Sequence, residues 1–313
     1  MLKKPFFSVI ITLYNKEFYI KSTIESVLNQ SFTDFEMIVV NDGSEDGSYN
    51  IVTAINDSRM NLYTIKNHGA SYARNYGIKK ANAQFIALLD GDDLWHENHL
   101  ENMFNLIYEF PNAGMYCSGY NIQLNNKYIK KTKLKGIQNK YKGLIKNYFE
   151  CNLYDSIVNS SIVIIPKYVF EDIAFFDVDM KSGQDTYLWT QIAIKHKVAI
   201  HNIVTATIRK NDKSLSKSHY IQDRLLLLDK FVEQEKKNKS LKKFMDMNRY
   251  AVALSFKINN ENNIGQSIIK KIDLKNLNLK QKTTLHLPNK LLKALYNLKI
   301  NLDKKGFFFY LYR

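Results

Sequence analysis

The residues best suited to chemistry in this chain are three aspartates that stand within four positions. Asp90-Gly91-Asp92-Asp93 follows directly on the apolar run 85–89. Three neighbouring carboxylates repel one another unless a cation is present. Hard oxygen ligands with an incomplete protein shell suit Mg²⁺ or Mn²⁺ held jointly with a diphosphate. The tetrapeptide is equally compatible with a solvated turn that caps the next helix, so the surrounding sequence has to decide.

Two further segments carry groups that suit a nucleobase. Thr12-Leu13-Tyr14-Asn15 follows the first apolar run and offers hydroxyls, backbone groups and an aromatic ring. Asn41-Asp42-Gly43-Ser44 follows the second run and offers a carboxylate. An aspartate accepts the N3 proton of uracil or thymine, and a tyrosine stacks on the ring. Taken singly, both segments are also typical of turns, which favour Asn, Asp, Gly and Ser for backbone reasons.

These segments need a scaffold that brings them together, and the alternation of strand and helix patterns predicts one. Apolar runs rich in β-branched and aromatic residues have the length of strands at 6–13, 35–40, 61–66, 85–89 and 114–120. Segments of helical period lie between them. This alternation predicts a Rossmann-like α/β domain with a parallel sheet covered by helices on both faces. Ligands of such sheets bind beyond the carboxyl ends of the strands, which is where the polar segments lie.

Five segments in this order and spacing resemble the family 2 glycosyltransferases of GT-A fold. The segments 8–15, 26–31, 39–44, 67–77 and 90–93 read SVIITLYN, SVLNQS, VVNDGS, NHGASYARNYG and DGDD. The resemblance implies a mostly parallel sheet flanked by helices and a nucleotide-sugar donor, foremost a UDP-sugar. It also implies an inverting bacterial enzyme of cell-surface polysaccharide biosynthesis, such as that of capsule or lipopolysaccharide.

The resemblance assigns a donor site. Thr12, Tyr14 and Asp42 would hold the nucleobase, and Arg74 would lie along the nucleotide and the sugar. Arginine suits phosphate recognition, although an ion pair or a helix contact would also explain it. The remaining donor-site residues that the resemblance implies are Asn15, Asp90 and Gly91. One departure is Asn41, where the family commonly has a second aspartate.

The resemblance also assigns the metal to the aspartate turn. Asp90 and Asp92 would form the D-x-D that meets the ribose and a Mn²⁺ or Mg²⁺ ion, with Asp93 beside them.

A second acidic segment is a candidate for the catalytic base. Residues 182–189 resemble the family segment in which an acidic pair precedes Leu-Trp, with Gln184 in place of the first acid and Asp185 as the second. A base that takes the acceptor hydroxyl proton needs only one carboxylate. Asp185 is also typical of a helix N-cap, and both roles are compatible. A retaining mechanism would need a second carboxylate as nucleophile, for which the sequence has no clear candidate, so we expect inversion.

Other polar residues give weaker indications. Ile208-Arg209-Lys210, ahead of Ser214-Leu215-Ser216, resembles the closing segment of the family, where a basic residue approaches the diphosphate. His201 and His219 could contact metal or phosphate, but isolated histidines near basic loops are more typical of exposed side chains.

The positive charge of the chain has its own distribution. The formal net charge is +15, and residues 121–149 hold eight lysines and no acidic residue. The C-terminal stretch has a leucine face at Leu291, Leu295, Leu298 and Leu302 and ends in the aromatic cluster 307–312. These features predict an anionic membrane surface as a partner and a glycan or polyprenyl-linked acceptor. The alternative is that the C-terminal helices only cover their own core.

The sequence predicts two domains. Residues 1–220 would form the glycosyltransferase domain, with a nucleotide-binding half at 1–120 and an acceptor-binding half at 121–220. Residues 221–313 would form a basic, mainly helical extension. No run of eighteen apolar residues occurs, the short N-terminal run lacks a cleavage site, and the two cysteines have no metal spacing. We therefore expect a cytoplasmic protein, peripheral at most at the inner face of the membrane.

Two other functions fit parts of the sequence. A sugar nucleotidyltransferase would share the α/β core and the acidic site, but it should carry a glycine-rich loop after the first strand, and residues 12–16 contain no glycine. A protein whose role is to bind nucleic acid or a membrane surface would explain the charge. The charge lies outside the motif-rich region, however, and no recognition-helix, RRM or zinc signature is present, so we expect no nucleic-acid partner.

Overall fold

The computed structural model describes residues 4–124, 127–210 and 223–308. The chain forms two compact units. The sheet unit comprises Met1–Ile122, Ile137–Lys146 and Ile157–Arg209, and the helical unit comprises Gln123–Gly136, Asn147–Ser156 and Lys210–Arg313. The predicted acceptor-binding half, 121–220, is therefore divided between the units, because the lysine-rich segment Gln123–Gly136 and the segment Asn147–Ser156 belong with the C-terminal helices.

All but one of the strands lie in the sheet unit. In chain order they are β1 Phe7–Leu13, β2 Phe35–Asp42, β3 Met60–Ile65, β4 Phe85–Asp90, β5 Leu94–Trp95, β6 Met115–Gln123, β7 Ile129–Lys131, β8 Lys142–Leu144, β9 Val163–Pro166 and β10 Val198–Arg209. The strand β7 belongs to the helical unit. The five predicted strands are present, and β10 is a long strand that the sequence pattern did not predict.

The sheet is parallel at one end and mixed beyond it. Its strand order is β3-β2-β1-β4-β9-β6-β10-β5. The pairs β3–β2, β2–β1 and β1–β4 are parallel, whereas β9 runs antiparallel to both β4 and β6. The parallel part carries the predicted ligand-binding segments. The prediction of a mostly parallel α/β sheet flanked by helices, with a helical C-terminal region, is confirmed.

The register of the parallel strands brings the predicted segments to one edge. Thr12 pairs with Asp90 and Leu13 pairs with Asn41. Because successive residues of β1 and β2 are buried, both faces of these strands are covered, as is usual for parallel sheets. The polar residues that end these strands therefore lie together at one edge of the sheet, which is the candidate site.

The helices divide between the two units. Those of the sheet unit are α1 Ile20–Leu28, α2 Ser48–Thr53, α3 Ala70–Lys80, α4 His99–Glu109, α6 Lys167–Asp172 and α7 Gln184–Lys195. Those of the helical unit are α5 Tyr148–Cys151, α8 Asp223–Asp229, α9 Val232–Lys237, α10 Lys239–Ile258, α11 Asn262–Ile269, α12 Leu279–His286 and α13 Asn289–Lys304.

The helical unit is organised around α10. Its core contains Tyr250, Leu254, Ile272, Leu277, Leu285 and Leu292. Beside this core, the buried Arg249 donates to both carboxylate oxygens of Glu235, at 2.6 and 2.7 Å, and to Asp246 at 3.1 Å. A buried charge needs such partners to offset its lost hydration. Within the described ranges, no helix has the length and apolar character needed to cross a membrane.

Candidate active site

The aspartate turn is fixed by backbone contacts to its neighbours. Asp90 ends β4, and the N–H of Gly91 donates to the carbonyl oxygen of Thr12 at 3.0 Å. A Cβ atom at Gly91 would lie 2.7 Å from that oxygen, so the approach of the two chains requires glycine. The hydroxyl of Thr23 on α1 donates to the carbonyl oxygen of Asp93 at 2.9 Å. These contacts fix the position of the turn relative to β1 and α1.

Asp93 points into the protein. Its side chain accepts a hydrogen bond from the hydroxyl of Ser161 and another from the backbone N–H of Arg209, at 2.8 Å. The residue is only 3% exposed, and burial together with the charges of Asp90 and Asp92 raises its pKa well above the usual range. Both oxygens of this carboxylate thus already have protein donors, and Asp93 ties the turn to the last residue of β10.

The other two carboxylates of the turn each meet a cation. The side chain of Asp90 accepts from Nη2 of Arg74 at 2.7 Å. Asp92 accepts from the ammonium group of Lys16 at 2.5 Å, with 13% of its own side chain exposed. These ion pairs offset the repulsion that three neighbouring carboxylates would otherwise create.

Arg74 joins the aspartate turn to the second acidic segment. One guanidinium nitrogen contacts Asp90 and the other donates to Oδ1 of Asp185 at 3.0 Å. The guanidinium also lies 5.2 Å from the centre of the Phe176 ring, and its side chain is 6% exposed. Burial alone would lower the pKa of Arg74, but the charges of Asp90 and Asp185 keep it above the ordinary value. The planar fork of arginine suits this bridging, which a lysine could not reproduce.

Asp185 is the second residue of α7 and is not its cap. The N-cap is Gly183, whose φ of +85° is left-handed, and no side chain caps this helix end. Burial raises the pKa of Asp185, while the charge of Arg74 opposes that effect. A carboxylate with a raised pKa is a better proton acceptor at neutral pH than an ordinary one. Because the N-cap is Gly183, Asp185 does not cap α7, and its side chain accepts from Arg74 instead.

Asp42 is buried where β2 ends. Its two carboxylate oxygens accept the backbone N–H groups of His68 and Gly69, both at 2.8 Å, just before α3. Burial raises its pKa and these two hydrogen bonds counteract the rise. Each carboxylate oxygen has a second lone pair. Asp42 thus holds the turn before α3, and its oxygens can still accept a further hydrogen bond.

The loop after β1 is joined to the loop after β2. Asn15 has a left-handed φ of +52°, its N–H donates to the hydroxyl of Ser44, and its side-chain oxygen accepts from the N–H of Glu45 at 2.8 Å. Tyr14 beside it is 43% exposed, so its ring faces solvent. An open groove follows along the second loop, lined by Asn41, Gly43, Ser44, Asp46, Tyr49, Asn50 and Thr64.

The order of these groups along the chain matches a known family. Residues 8–172, more than half of the chain, match the family described as glycosyl transferase family 2. The chain belongs to this family. The matched range includes the aspartate turn and Arg74 of the family 2 chain, and Asp185 lies beyond it.

Relatives of the family 2 chain are bacterial. An uncharacterised glycosyltransferase of Rickettsia bellii is 33% identical over 60% of this chain and 26% of its own length. The minor teichoic acid biosynthesis protein GgaA of Bacillus subtilis is 30% identical over 61% and 44%. WfgD of Escherichia coli, a UDP-Glc:alpha-D-GlcNAc-diphosphoundecaprenol beta-1,3-glucosyltransferase, is 30% identical over 68% and 80%. The chain spans between 26% and 66% of the length of five Rickettsia relatives.

The fold of the family 2 chain also has a solved counterpart. The crystal structure of residues 1–349 of Staphylococcus aureus TarS in complex with UDP-GlcNAc superposes with a TM-score of 0.69. The superposition covers 97% of this chain and 93% of TarS at 18% sequence identity. Both units of the family 2 chain thus have equivalents in one known architecture.

The remaining predicted residues of the family 2 chain differ in their relation to the aspartate turn. The guanidinium of Arg209 donates to Ser22 at 2.9 Å and lies over the ring of Tyr19, and its backbone N–H donates to Asp93 of the turn. His201 lies within β10. Residues 214–216 and His219 fall outside the described ranges. Among the described residues, no three His, Cys, Asp or Glu side chains form a metal-binding group.

Two residues of this site were missed by the sequence reasoning. Lys16 stands next to the predicted donor loop, but nothing in the sequence pairs it with Asp92. Ser161 lies in an apolar segment, and its hydroxyl both donates to Asp93 and accepts from the N–H of Asp90 at 3.1 Å. Because both partners are some seventy positions away, only the sheet order brings them together.

Proposed function

We propose that this chain transfers a sugar from a UDP-sugar to a hydroxyl group of a glycan or lipid-linked acceptor in surface polysaccharide biosynthesis. The observation that carries the proposal is the bridge of Arg74 between Asp90 and Asp185 at the carboxyl edge of the sheet. It puts an acceptor-side carboxylate beside the turn that would face the donor. The names of WfgD, GgaA and the TarS complex with UDP-GlcNAc support a UDP-sugar and a polysaccharide product.

The donor site follows from the loops at the ends of β1 and β2. Thr12, Tyr14 and Asp42 hold the nucleobase, with the exposed ring of Tyr14 stacking on it and Asp42 accepting its N3 proton. Asn15 shapes this loop through its left-handed backbone. Gly91 lets the aspartate turn lie against Thr12 and so holds Asp90 and Asp92 where the ribose and diphosphate would approach.

The reaction is a single displacement in which Asp185 is the general base. Asp185 takes the proton of the acceptor hydroxyl while that oxygen forms a bond to the anomeric carbon, and the bond from this carbon to the diphosphate oxygen breaks. Attack from the face opposite the leaving group inverts the anomeric centre. Arg74 stabilises the negative charge that develops on the leaving nucleoside diphosphate.

A divalent cation fits the aspartate turn when a diphosphate completes its ligands. Asp90 and Asp92 are the carboxylates that would hold Mn²⁺ or Mg²⁺, since both oxygens of Asp93 already accept hydrogen bonds from the protein. Two carboxylates with substrate phosphate are a usual ligand set for such ions. When bound, the cation neutralises charge on the diphosphate. In this proposal Asp93 positions the turn, which revises its expected role as a direct ligand.

Acceptor recognition falls to residues 121–220 and to the helical unit, whose charge suits an anionic surface. This unit has 28 Lys or Arg residues against 11 Asp or Glu, whereas the sheet unit has 17 against 19. On α13, Leu291 and Leu298 are 46% and 53% exposed, while Leu292 is fully buried in the core. An exposed leucine face among lysines is typical of helices that lie in a membrane interface. We place the protein at the inner face of the cytoplasmic membrane.

Titration calorimetry with a panel of nucleotide sugars and Mn²⁺ tests the proposed function. We expect UDP and at least one UDP-sugar to bind, with lower affinity in EDTA. The Asp92→Ala variant should lose this metal dependence. Equal UDP affinity with and without metal in the unmutated chain would reject the metal assignment. Tight, salt-sensitive binding of DNA or RNA with no affinity for any nucleotide sugar would reject the glycosyltransferase reaction itself.

A further inference from the structure

Lys16 pairs with the aspartate turn, and the proposed mechanism gives it no task. Its ammonium group lies 2.5 Å from Oδ2 of Asp92, in a pair whose side chains are 23% and 13% exposed. Asp92 is also the carboxylate that the proposed function assigns to a divalent cation. Lys16 and the metal therefore need the same carboxylate.

The backbone of Lys16 is held in place. Its N–H donates to the hydroxyl of Ser48 at 2.8 Å, and the next N–H, of Glu17, donates to Asp46 at 3.0 Å. The side chain of Glu17 in turn accepts from the N–H of Gly47 at 2.9 Å. With the loop fixed on both sides, the flexible four-carbon side chain is the part of Lys16 that is free to change position.

Two other cations described near the turn, Arg74 and Arg209, are held by further partners of their own. Arg74 is held by two carboxylates and is almost completely buried. The guanidinium of Arg209 is directed to Ser22 and Tyr19. Lys16 is more exposed than Arg74 and has a single carboxylate partner among its described contacts.

Charge then decides what Lys16 does when the donor binds. An ammonium group and a divalent cation on one carboxylate oxygen repel each other strongly. The arriving diphosphate supplies new negative charge beside the same turn. We propose that Lys16 is a donor-binding residue. Asp92 holds it in the ligand-free chain, and it moves to the diphosphate when the donor binds, which leaves Asp92 for a metal. This inference rests on the proposed function, because it assumes a nucleoside diphosphate at the turn.

The test compares Lys16→Gln with the unmutated chain by titration calorimetry. In EDTA we expect UDP to bind about tenfold more weakly to the variant, the scale of one lost charge-assisted hydrogen bond. Uridine, which lacks the diphosphate, should bind both proteins equally. The factor by which Mn²⁺ strengthens UDP binding should be larger in Lys16→Gln, because the metal no longer competes with the ammonium group for Asp92.

Two further variants make the result specific. Lys16→Arg keeps the charge and should retain most of the UDP affinity in EDTA. Lys21→Gln removes an exposed lysine of α1 that pairs only weakly with Glu25 and should change nothing. UDP affinity in EDTA that is unchanged in Lys16→Gln, or lowered equally for UDP and uridine, would overturn the inference while leaving the proposed function intact. Failure of the unmutated chain to bind UDP at all would overturn both.

Discussion

Asp185 and Arg74 are 111 positions apart in the chain and share a hydrogen bond of 3.0 Å. If Asp185 is the base, Asp185→Asn should lower sugar transfer at least about a hundredfold, the usual scale for a positioned general base. UDP affinity should stay within a factor of a few, because the proposed role of Asp185 is towards the acceptor and not the nucleotide. Since Asp185 is not a helix cap, the melting temperature of the Asp185→Asn variant should differ little from that of the unmutated chain. Transfer at the unmutated rate would move the search to Asp177 and Asp179.

The pH dependence of transfer follows from the charges around Asp185. A general base works when deprotonated, so kcat/KM falls as the pH drops through its pKa. Burial raises this pKa, which places the fall above the ordinary carboxyl range. Arg74→Gln removes the cation that opposes the rise, so the fall should move to higher pH. Arg59→Gln, which breaks a pair with Asp57 away from the turn, is the matched control and should leave the pH profile unchanged.

The role of single residues was predictable where the type of side chain decided it. Aspartates after a buried strand predict an acidic edge, and this edge is present. Two partners of those aspartates were not predictable, because Lys16 and Ser161 have no sequence relation to the turn. The alternative role of Asp185 as a helix N-cap is not observed, since the N-cap is the left-handed Gly183, two positions earlier.

At the scale of elements, the aspartate turn depends on the segment just before β9. Ser161 accepts from the N–H of Asp90, donates to Asp93, and its carbonyl oxygen accepts from the indole N–H of Trp95 at 2.6 Å. Ser161→Ala leaves two buried polar groups without this partner, so the free energy of unfolding should fall by about 1–3 kcal/mol.

Chemical denaturation measures this change. Ser267→Ala, which removes an exposed hydroxyl on α11, should have almost no effect. We also expect weaker UDP binding in Ser161→Ala, because the turn loses its fixed position. If Ser161→Ala kept both the stability and the UDP affinity of the unmutated chain, the hydroxyl would be dispensable.

The strands and helices themselves were predictable to different degrees. Continuous apolar runs identified β1, β2 and β4, because both faces of these strands are buried, and β3 was also predicted although it is only partly buried. β10 escaped prediction, since His201 and Asn202 interrupt its apolar run and only part of the strand is buried. Its antiparallel pairing with β5 and β8 depends on distant segments that no local pattern reveals.

At the scale of the whole molecule, the two units differ in charge, and this difference predicts how the chain meets a membrane. If α13 lies in the membrane interface, Leu291→Ser with Leu298→Ser should reduce co-sedimentation with anionic vesicles at least about tenfold, since both side chains lose apolar burial. High salt should weaken binding of the unmutated chain.

Substitution is a better test than removal of α13. Truncation at residue 289 would delete Leu292, which is fully buried in the core of the helical unit. Val178→Ser, an exposed apolar position in the sheet unit, serves as the control. Unchanged co-sedimentation of the double variant would favour helices that only complete their own core.

The strand order has a consequence for how the chain is made. β9 lies between β4 and β6 in the sheet, yet its residues follow those of β4 by about seventy positions. At a synthesis rate of roughly 5–20 residues per second, several seconds pass before β9 leaves the ribosome. During that time the apolar edge of β4 has no neighbour, and an open edge of this kind invites pairing with another chain. A fragment of the first 120 residues would keep that edge permanently, although it contains all the proposed donor-binding residues.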